Sequence, residues 1–84
     1  MIYSIQNKAL TAQVSTLGAQ LMSLCGADST QYLWQGDPRY WPDRSLTIFP
    51  YVARLTQGSY RYQGKLYHMP IHGFGPTSEF TLLE

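Results

Sequence analysis

The sequence predicts an all-β fold of short antiparallel strands joined by hairpins, with little helix. Seven glycines and five prolines divide the 84 residues into short pieces. Apolar and polar side chains alternate over residues 9–14, which is typical of a half-buried strand. Two tyrosine-rich pieces flank Gln63-Gly64, as in a β-hairpin. These three observations predict about seven short strands, packed as a sandwich or a partial barrel.

The first half of the chain is predicted to form four strands, at residues 2–6, 9–14, 19–25 and 31–35. Asn7-Lys8 fits a tight connection between the first two. The third piece could instead be a helix, but a helix that ends at Gly26 would be very short. The fourth piece presents an aromatic and an aliphatic face, as strands do.

The second half is less regular. Residues 36–47 form the longest irregular stretch, with one helical turn expected at 39–41. Residues 48–52 are an edge strand or an extended loop, because Pro50 cannot donate to a central ladder. The clearest signal is the hairpin of residues 59–62 and 65–69, in which Gly64 supplies the positive φ of a two-residue turn. A last strand is predicted at 79–83.

Length, composition and charge exclude several classes of protein. The 84 residues allow a single domain, residues 1–84, and 44% apolar content argues against disorder. Six Lys and Arg are scattered against five Asp and Glu, so no nucleic-acid partner is expected. No apolar run is long enough to span a membrane. The single Cys25 cannot form an internal disulfide, which makes the cytoplasm the expected compartment. No zinc spacing is present, so no metal is expected, and no phosphate-binding loop is present either.

Two polar residues stand out as candidate ligand-binding groups. Arg54 follows an apolar, proline-bearing segment that can aim its guanidinium into a groove, although a surface arginine paired with an aspartate is the plain alternative. His72 precedes a glycine that lets the backbone approach a ligand closely. An imidazole held there can donate or accept a proton near neutral pH, or can be an ordinary loop histidine.

Several aromatic and polar residues have a structural interpretation beside the functional one. Trp34, Tyr40 and Trp41 could stack on sugar rings or could belong to a core or an interface. Cys25 is interpreted as a small core residue rather than a nucleophile, and His68 as an exposed strand residue.

Five blocks in this order resemble the N-terminal part of the aldose 1-epimerase (galactose mutarotase-like) family, in its LacX-like branch. The resemblance covers essentially the whole chain, and its strength lies in the register of the blocks. The blocks are Leu17-Gly-Ala-Gln-Leu21, Tyr32-Leu-Trp-Gln-Gly-Asp-Pro-Arg-Tyr-Trp41, Phe49-Pro-Tyr-Val-Ala-Arg-Leu55, Gly58-Ser-Tyr-Arg-Tyr-Gln-Gly-Lys-Leu-Tyr67 and His72-Gly-Phe74.

The resemblance implies a galactose mutarotase-like β-sandwich (supersandwich) and the interconversion of the α and β anomers of a hexose by acid–base ring opening, without a cofactor. It implies that Arg54 binds sugar hydroxyls and that His72 is a catalytic and substrate-binding residue near the ring oxygen. The family's catalytic glutamate and second histidine have no counterpart here. One departure concerns the residue before Arg54, commonly glycine in the family and Ala53 in this chain.

Three functions follow as hypotheses. The first is a truncated aldose 1-epimerase that is inactive alone, because half of the acid–base pair is missing. The second is a non-catalytic carbohydrate-binding module that uses Arg54, His72 and Trp34 or Trp41. The third is a self-associating β module that dimerises through exposed strand edges.

Overall fold

The computed structural model describes all of residues 1–84 and contains five strands and no α-helix. The strands form a three-stranded antiparallel sheet of order β1-β2-β3 and a separate two-stranded hairpin, β4-β5. Two short 3₁₀ turns complete the regular structure, at Thr56–Gly58 and Gly75–Thr77. The strands are β1 (Ile2–Gln6), β2 (Leu10–Ser15), β3 (Gln20–Gly26), β4 (Ser59–Tyr62) and β5 (Lys65–His68). The predicted all-β class is thus confirmed.

The connection between β1 and β2 is tight, as predicted, but its two-residue turn is Lys8-Ala9 rather than Asn7-Lys8, because the Asn7 amide donates to the Leu10 carbonyl at 3.0 Å. Gln6 is the last residue of β1 to pair and lies opposite Thr11. The side-chain Oδ1 of Asn7 accepts hydrogen bonds from the amides of Ala9 and Leu10, both at 2.8 Å. An asparagine that binds the backbone two and three residues ahead stabilises such a turn by itself.

An irregularity in β3 links the sheet to the loops. The β2–β3 register passes from Gln13 opposite Ser23 to Val14 opposite Leu21, so Met22 has no partner on β2. An extra residue in one strand leaves its backbone groups free of the ladder. The Met22 carbonyl instead accepts hydrogen bonds from Arg44 Nη1, at 2.7 Å, and from Gln35 Nε2, at 3.1 Å. The bulge therefore attaches the irregular residues 35–44 to the sheet.

The β4–β5 hairpin has the two-residue turn that the sequence predicts. Gln63 and Gly64 both have positive φ, 50° and 78°, as a type I′ turn requires. Tyr60 and Tyr67 lie opposite each other, and their rings stack with centroids 5.2 Å apart. The turn chemistry and this cross-strand pair fix the register.

The prediction of about seven strands is wrong, because the strands predicted at residues 31–35 and 79–83 form only isolated bridges. Residues 48–52, predicted as an edge strand or an extended loop, also form a single bridge. The bridges lie at Gln31, Phe49 and Glu79. At the first, Gln31 Oε1 accepts hydrogen bonds from the amides of Leu24 and Leu33, at 2.9 and 3.0 Å, so a side chain takes the place of a ladder. At the second, Pro50 has no N–H to continue the pairing. The helical turn expected at 39–41 is a single hydrogen-bonded turn, in which the amides of Tyr40 and Trp41 both donate to the Asp37 carbonyl.

The molecule is a thin plate with no buried apolar side chain. It measures 55 × 35 × 17 Å, and its radius of gyration is 16.2 Å, against about 12 Å for a compact domain of this length. Its accessible surface is 6646 Å², whereas a folded monomer of this mass exposes about 5,100 Å². The apolar faces of both sheets are therefore uncovered.

Backbone crossings, rather than side-chain packing, form the most buried part of the chain. The four buried residues are Thr16, Gly18, Gly73 and Gly75. Gly18 donates to the Ser78 carbonyl at 2.6 Å, and a Cβ on Gly18 would lie 2.6 Å from the Pro76 carbonyl oxygen. The chain after the hairpin is thereby held against the end of β2. No helix of the structure has the length and apolar character needed to cross a membrane.

The turn of the β4–β5 hairpin generates a first prediction. Asparagine adopts the left-handed conformation more readily than glutamine, so Gln63→Asn should increase the free energy of unfolding by about 0.5–1 kcal/mol. The β-branched control Gln63→Thr should decrease it. Urea denaturation and amide exchange of residues 59–68 measure the effect. Equal stability of both variants would contradict the assigned turn.

Candidate functional site

His72 sits at a point where two backbone segments are in direct contact. The Phe49 amide donates to the His72 carbonyl at 3.1 Å, and the Gly75 amide donates to the Phe49 carbonyl at 2.9 Å. Gly73 lies between these two bonds with φ of 74°. A Cβ on Gly73 would overlap the Phe49 carbonyl oxygen, so only glycine allows the approach. The glycine after His72 therefore serves to seat the histidine against residues 49–50.

The imidazole of His72 is oriented by a reciprocal pair of hydrogen bonds with Ala53. The His72 amide donates to the Ala53 carbonyl at 2.8 Å, and the Ala53 amide donates to His72 Nδ1 at 2.9 Å. Since Nδ1 accepts a hydrogen bond, the neutral imidazole carries its proton on Nε2. Nε2 has no partner within the chain, so His72 presents a fixed N–H donor.

Both members of this pair have a strained backbone. φ is 76° at Ala53 and 62° at His72, in the left-handed region that costs residues other than glycine roughly 1–2 kcal/mol. Strain of this kind persists where surrounding contacts enforce it, and it clusters at ligand-binding positions. Ala53 is also the position at which the family pattern has glycine. This sequence therefore differs from the family pattern at the residue that orients the imidazole.

Arg54 is joined to His72 through the backbone. It follows Ala53 directly, and its exposed side chain forms no hydrogen bond or ion pair. The alternative of a surface arginine paired with an aspartate is therefore not what the structure shows. The single ion pair of the chain joins Arg39 and Asp37 at 2.8 Å. The Arg54 guanidinium remains available to a ligand.

An open groove of about 500 Å³ lies beside His72. This volume falls in the range of small-molecule sites, about 300–1,000 Å³. Its walls come from the turn that carries His72, from the link between β2 and β3, and from the irregular residues 41–46. The lining residues are Leu17, Gln20, Trp41, Asp43, Leu46, Pro70, Ile71, His72, Gly73, Pro76 and Thr77.

Trp34 lies outside the lining of this groove and supports a residue that belongs to it. The indole Nε1 of Trp34 donates to the Trp41 carbonyl at 2.8 Å, and the ring meets Tyr40 edge-on at 6.2 Å. Of the three residues predicted for the site, His72 lines the groove, Arg54 adjoins it through Ala53, and Trp34 acts through Trp41.

Asp37 organises the turn that leads to Trp41. Its carbonyl accepts hydrogen bonds from the amides of Tyr40, at 3.0 Å, and Trp41, at 2.9 Å. The hydrogen bond from the Arg39 side chain lowers the pKa of the Asp37 carboxyl, and the Arg39 amide lowers this pKa further. The carboxylate thus stays charged well below neutral pH and keeps the turn in place.

Sequence reasoning missed two polar groups of the groove, Gln20 and Asp43. Neither belongs to a recognisable motif, and they lie 23 positions apart in the sequence. Only the attachment of residues 44–45 to β3 brings them to one wall.

The two histidines and Cys25 form no metal site, and no group of three His, Cys, Asp or Glu side chains could hold a metal ion. Cys25, interpreted as a core residue, is half-buried and free.

The strain at Ala53 generates a second prediction. Ala53→Gly should increase the free energy of unfolding by about 0.5–1 kcal/mol, because relief of the left-handed strain exceeds the added freedom of the unfolded chain. Exchange of the residue-53 amide, which is bound to His72 Nδ1, should slow accordingly. The matched control Ala27→Gly, at an exposed residue without positive φ, should be destabilising. Destabilisation by both variants would contradict the strain at Ala53.

Comparison with known proteins gives consistent matches along the chain. The model of the aldose 1-epimerase family matches residues 1–81. The chromosomal and plasmid forms of Protein LacX from Lactococcus lactis subsp. lactis are each 38% identical over 89 residues, covering 100% of this chain. This chain spans only 30% of the length of either LacX protein.

Two solved structures share the fold. A galactose mutarotase related enzyme from Lactobacillus acidophilus superposes with a TM-score of 0.96 at 33% identity, over 100% of this chain and 28% of that one. A galactose mutarotase-like protein from Lactobacillus casei gives a TM-score of 0.92 at 33% identity, over 96% and 28%. The predicted resemblance is thereby confirmed: the chain belongs to the aldose 1-epimerase family and corresponds to an N-terminal portion of it.

Proposed function

We propose that this chain contributes His72, and the groove that His72 lines, to a hexose-binding site of an aldose 1-epimerase. The observation that carries the proposal is the hydrogen bond from the Ala53 amide to His72 Nδ1, at 2.9 Å. It fixes the proton of the neutral imidazole on Nε2. A donor in this position suits a sugar ring oxygen, which accepts a hydrogen bond in the ground state and a stronger one as negative charge develops on it when the ring opens. Arg54, with its guanidinium free, adds donors for sugar hydroxyls.

Interconversion of anomers needs a base at the anomeric hydroxyl and an acid at the ring oxygen. These groups stand on opposite sides of the sugar, and each assists a proton transfer in the ring-opening step. In our proposal His72 donates a hydrogen bond to the ring oxygen and orients the sugar. The base and the acid belong to the family's catalytic glutamate and second histidine, which have no counterpart in these 84 residues. Glu79 does not replace that glutamate, because its side chain is exposed and does not line the groove.

This division of roles generates a third prediction. The 84-residue chain should bind galactose and yet not accelerate its mutarotation, because the family's catalytic glutamate and second histidine have no counterpart in it. Polarimetry of fresh α-D-galactose measures the rate, and NMR titration measures binding. His72→Asn is the matched variant, since asparagine tolerates positive φ and lacks the Nε2 donor. It should weaken binding several-fold. A rate enhancement that His72→Asn abolishes would contradict the predicted inactivity.

A second candidate function, self-association, is supported by the free edge of β1. Ile2–Gln6 contains neither a charged residue nor proline, the devices that usually protect an edge strand. The Thr16 amide donates to the Met1 carbonyl at 2.8 Å. Since hydrogen-bonded pairs alternate along an antiparallel ladder, Ile2, Ser4 and Gln6 direct their backbone groups outward. We propose that a second copy pairs with this edge to form a continuous two-fold symmetric sheet.

The exposed edge generates a fourth prediction. Ser4→Pro should convert a dimer into a monomer, because proline removes an outward N–H without breaking a bond to β2. Ser4→Thr, which keeps that N–H, should remain dimeric. Sedimentation over a range of concentrations measures the change, and circular dichroism checks the fold. A dimer that survives Ser4→Pro unchanged would rule out this edge as the interface. Self-association and a cytoplasmic location stay predictions.

A further inference from the structure

One wall of the groove is formed by an irregular segment that hydrogen bonds fix at both ends. At one end, Trp34 Nε1 donates to the Trp41 carbonyl at 2.8 Å. At the other, Gln20 Oε1 accepts hydrogen bonds from the amides of Arg44, at 3.2 Å, and Ser45, at 3.1 Å. Residues 41–43 lie between these two attachments. The segment therefore has a defined position although it belongs to no strand. We call residues 41–43 the rim.

Further hydrogen bonds tie the rim to the bulged strand β3. Ser45 Oγ donates to the Leu21 carbonyl at 2.6 Å, and Arg44 Nη1 donates to the Met22 carbonyl at 2.7 Å. These two side-chain donors therefore hold residues 44–45 against the backbone of β3. Preorganised groups on a supported segment bind a ligand without a large ordering cost.

Asp43 is a groove residue whose carboxylate has no hydrogen-bond partner within the chain. The other two aspartates serve their own loops, where Asp28 accepts from the Thr30 amide at 3.0 Å and Asp37 accepts from Arg39. The Asp43 carboxylate forms no hydrogen bond or ion pair, although the residue is half-buried in the wall of the groove. A carboxylate in such a place is available as an acceptor for ligand hydroxyls.

The groove combines three kinds of group that suit a sugar. Asp43 offers acceptors, His72 offers a donor, and Trp41 offers an aromatic face that is 49% exposed. No lysine or arginine lines the groove, so its one fixed charge is negative. Arg54 lies outside this lining, so at the residues around Asp43 the carboxylate disfavours an anionic group of the ligand.

We propose that the rim is a sugar subsite, in which Asp43 accepts hydrogen bonds from neighbouring hydroxyls of a neutral pyranose and Trp41 packs against its C–H face. The inference rests on the proposed hexose site and adds two groups that line the same groove as His72. It also assigns a ligand class, a neutral sugar in preference to a sugar phosphate. Gln20 is a positioning residue here, since it acts through the backbone on either side of the rim.

Binding of methyl β-D-galactoside tests the rim separately from catalysis, because this glycoside has no free anomeric hydroxyl and cannot mutarotate. Asp43→Asn should raise the dissociation constant about tenfold or more, as expected for loss of hydrogen bonds to a charged group. The matched control Asp28→Asn removes a carboxylate outside the groove and should leave the dissociation constant unchanged. NMR titration gives the constants, and the amide spectrum of each variant reports whether its fold is retained.

A charge-selectivity measurement distinguishes a binding role from a merely structural one. The wild-type chain should bind galactose 6-phosphate more weakly than the methyl galactoside. Asp43→Asn should reduce the difference between the two dissociation constants. A purely structural defect would weaken both ligands in parallel. Tighter binding of the phosphate by the wild-type chain would overturn the assigned ligand class.

The remaining outcomes separate this inference from the function on which it rests. If the galactoside does not bind the wild-type chain, the hexose site and the rim both fail. If binding is weakened by His72→Asn and unaffected by Asp43→Asn, the hexose site stands and the rim fails. Should Asp43→Asn not fold, the carboxylate ¹³C shift of wild-type Asp43 decides. A shift change on galactoside addition supports the rim, and an unchanged shift overturns it.

Discussion

The site depends on one backbone contact, the approach of residues 72–75 to residues 49–53. Hydrogen bonds from Phe49 to His72 and from Gly75 to Phe49 close this contact, and the absence of a side chain at Gly73 makes room for it. The reciprocal bonds between Ala53 and His72 extend the contact to the imidazole. Because these hydrogen bonds are connected, the backbone contact determines which nitrogen of His72 carries the proton.

Polar contacts between side chains and backbone replace the missing core in holding the irregular segments. No apolar side chain is buried, so burial contributes less to order here than in a compact domain. Gln20, Gln31 and Asn7 each accept hydrogen bonds from two backbone amides. Such bonds specify direction as well as proximity, which explains why loops without regular structure still have defined paths beside the sheet. The uncovered faces are consistent with a chain that spans about 30% of its relatives.

The elements that sequence reasoning predicted well are those governed by local chemistry. Alternation predicted β2, and Gln63-Gly64 predicted the hairpin, because both signals act between residues a few positions apart. The strands predicted at residues 31–35 and 79–83 do not form, and the reason is the same for both. A strand needs a partner along its length, and Gln31 and Glu79 each find only a single bridge. His72 and Arg54 are predicted from short motifs, whereas Asp43 and Gln20 have no sequence signal.

The sequence by itself determined the all-β class, the family, the hairpin and the glycine that must follow His72, since each depends on residue type at a short spacing. The tertiary structure alone decided which nitrogen of His72 accepts, that Ala53 carries left-handed strain, and that Trp41 rather than Trp34 lines the groove. These features arise from contacts between residues that are distant in the chain. Their geometry depends on the crossing of whole segments, which no local pattern encodes.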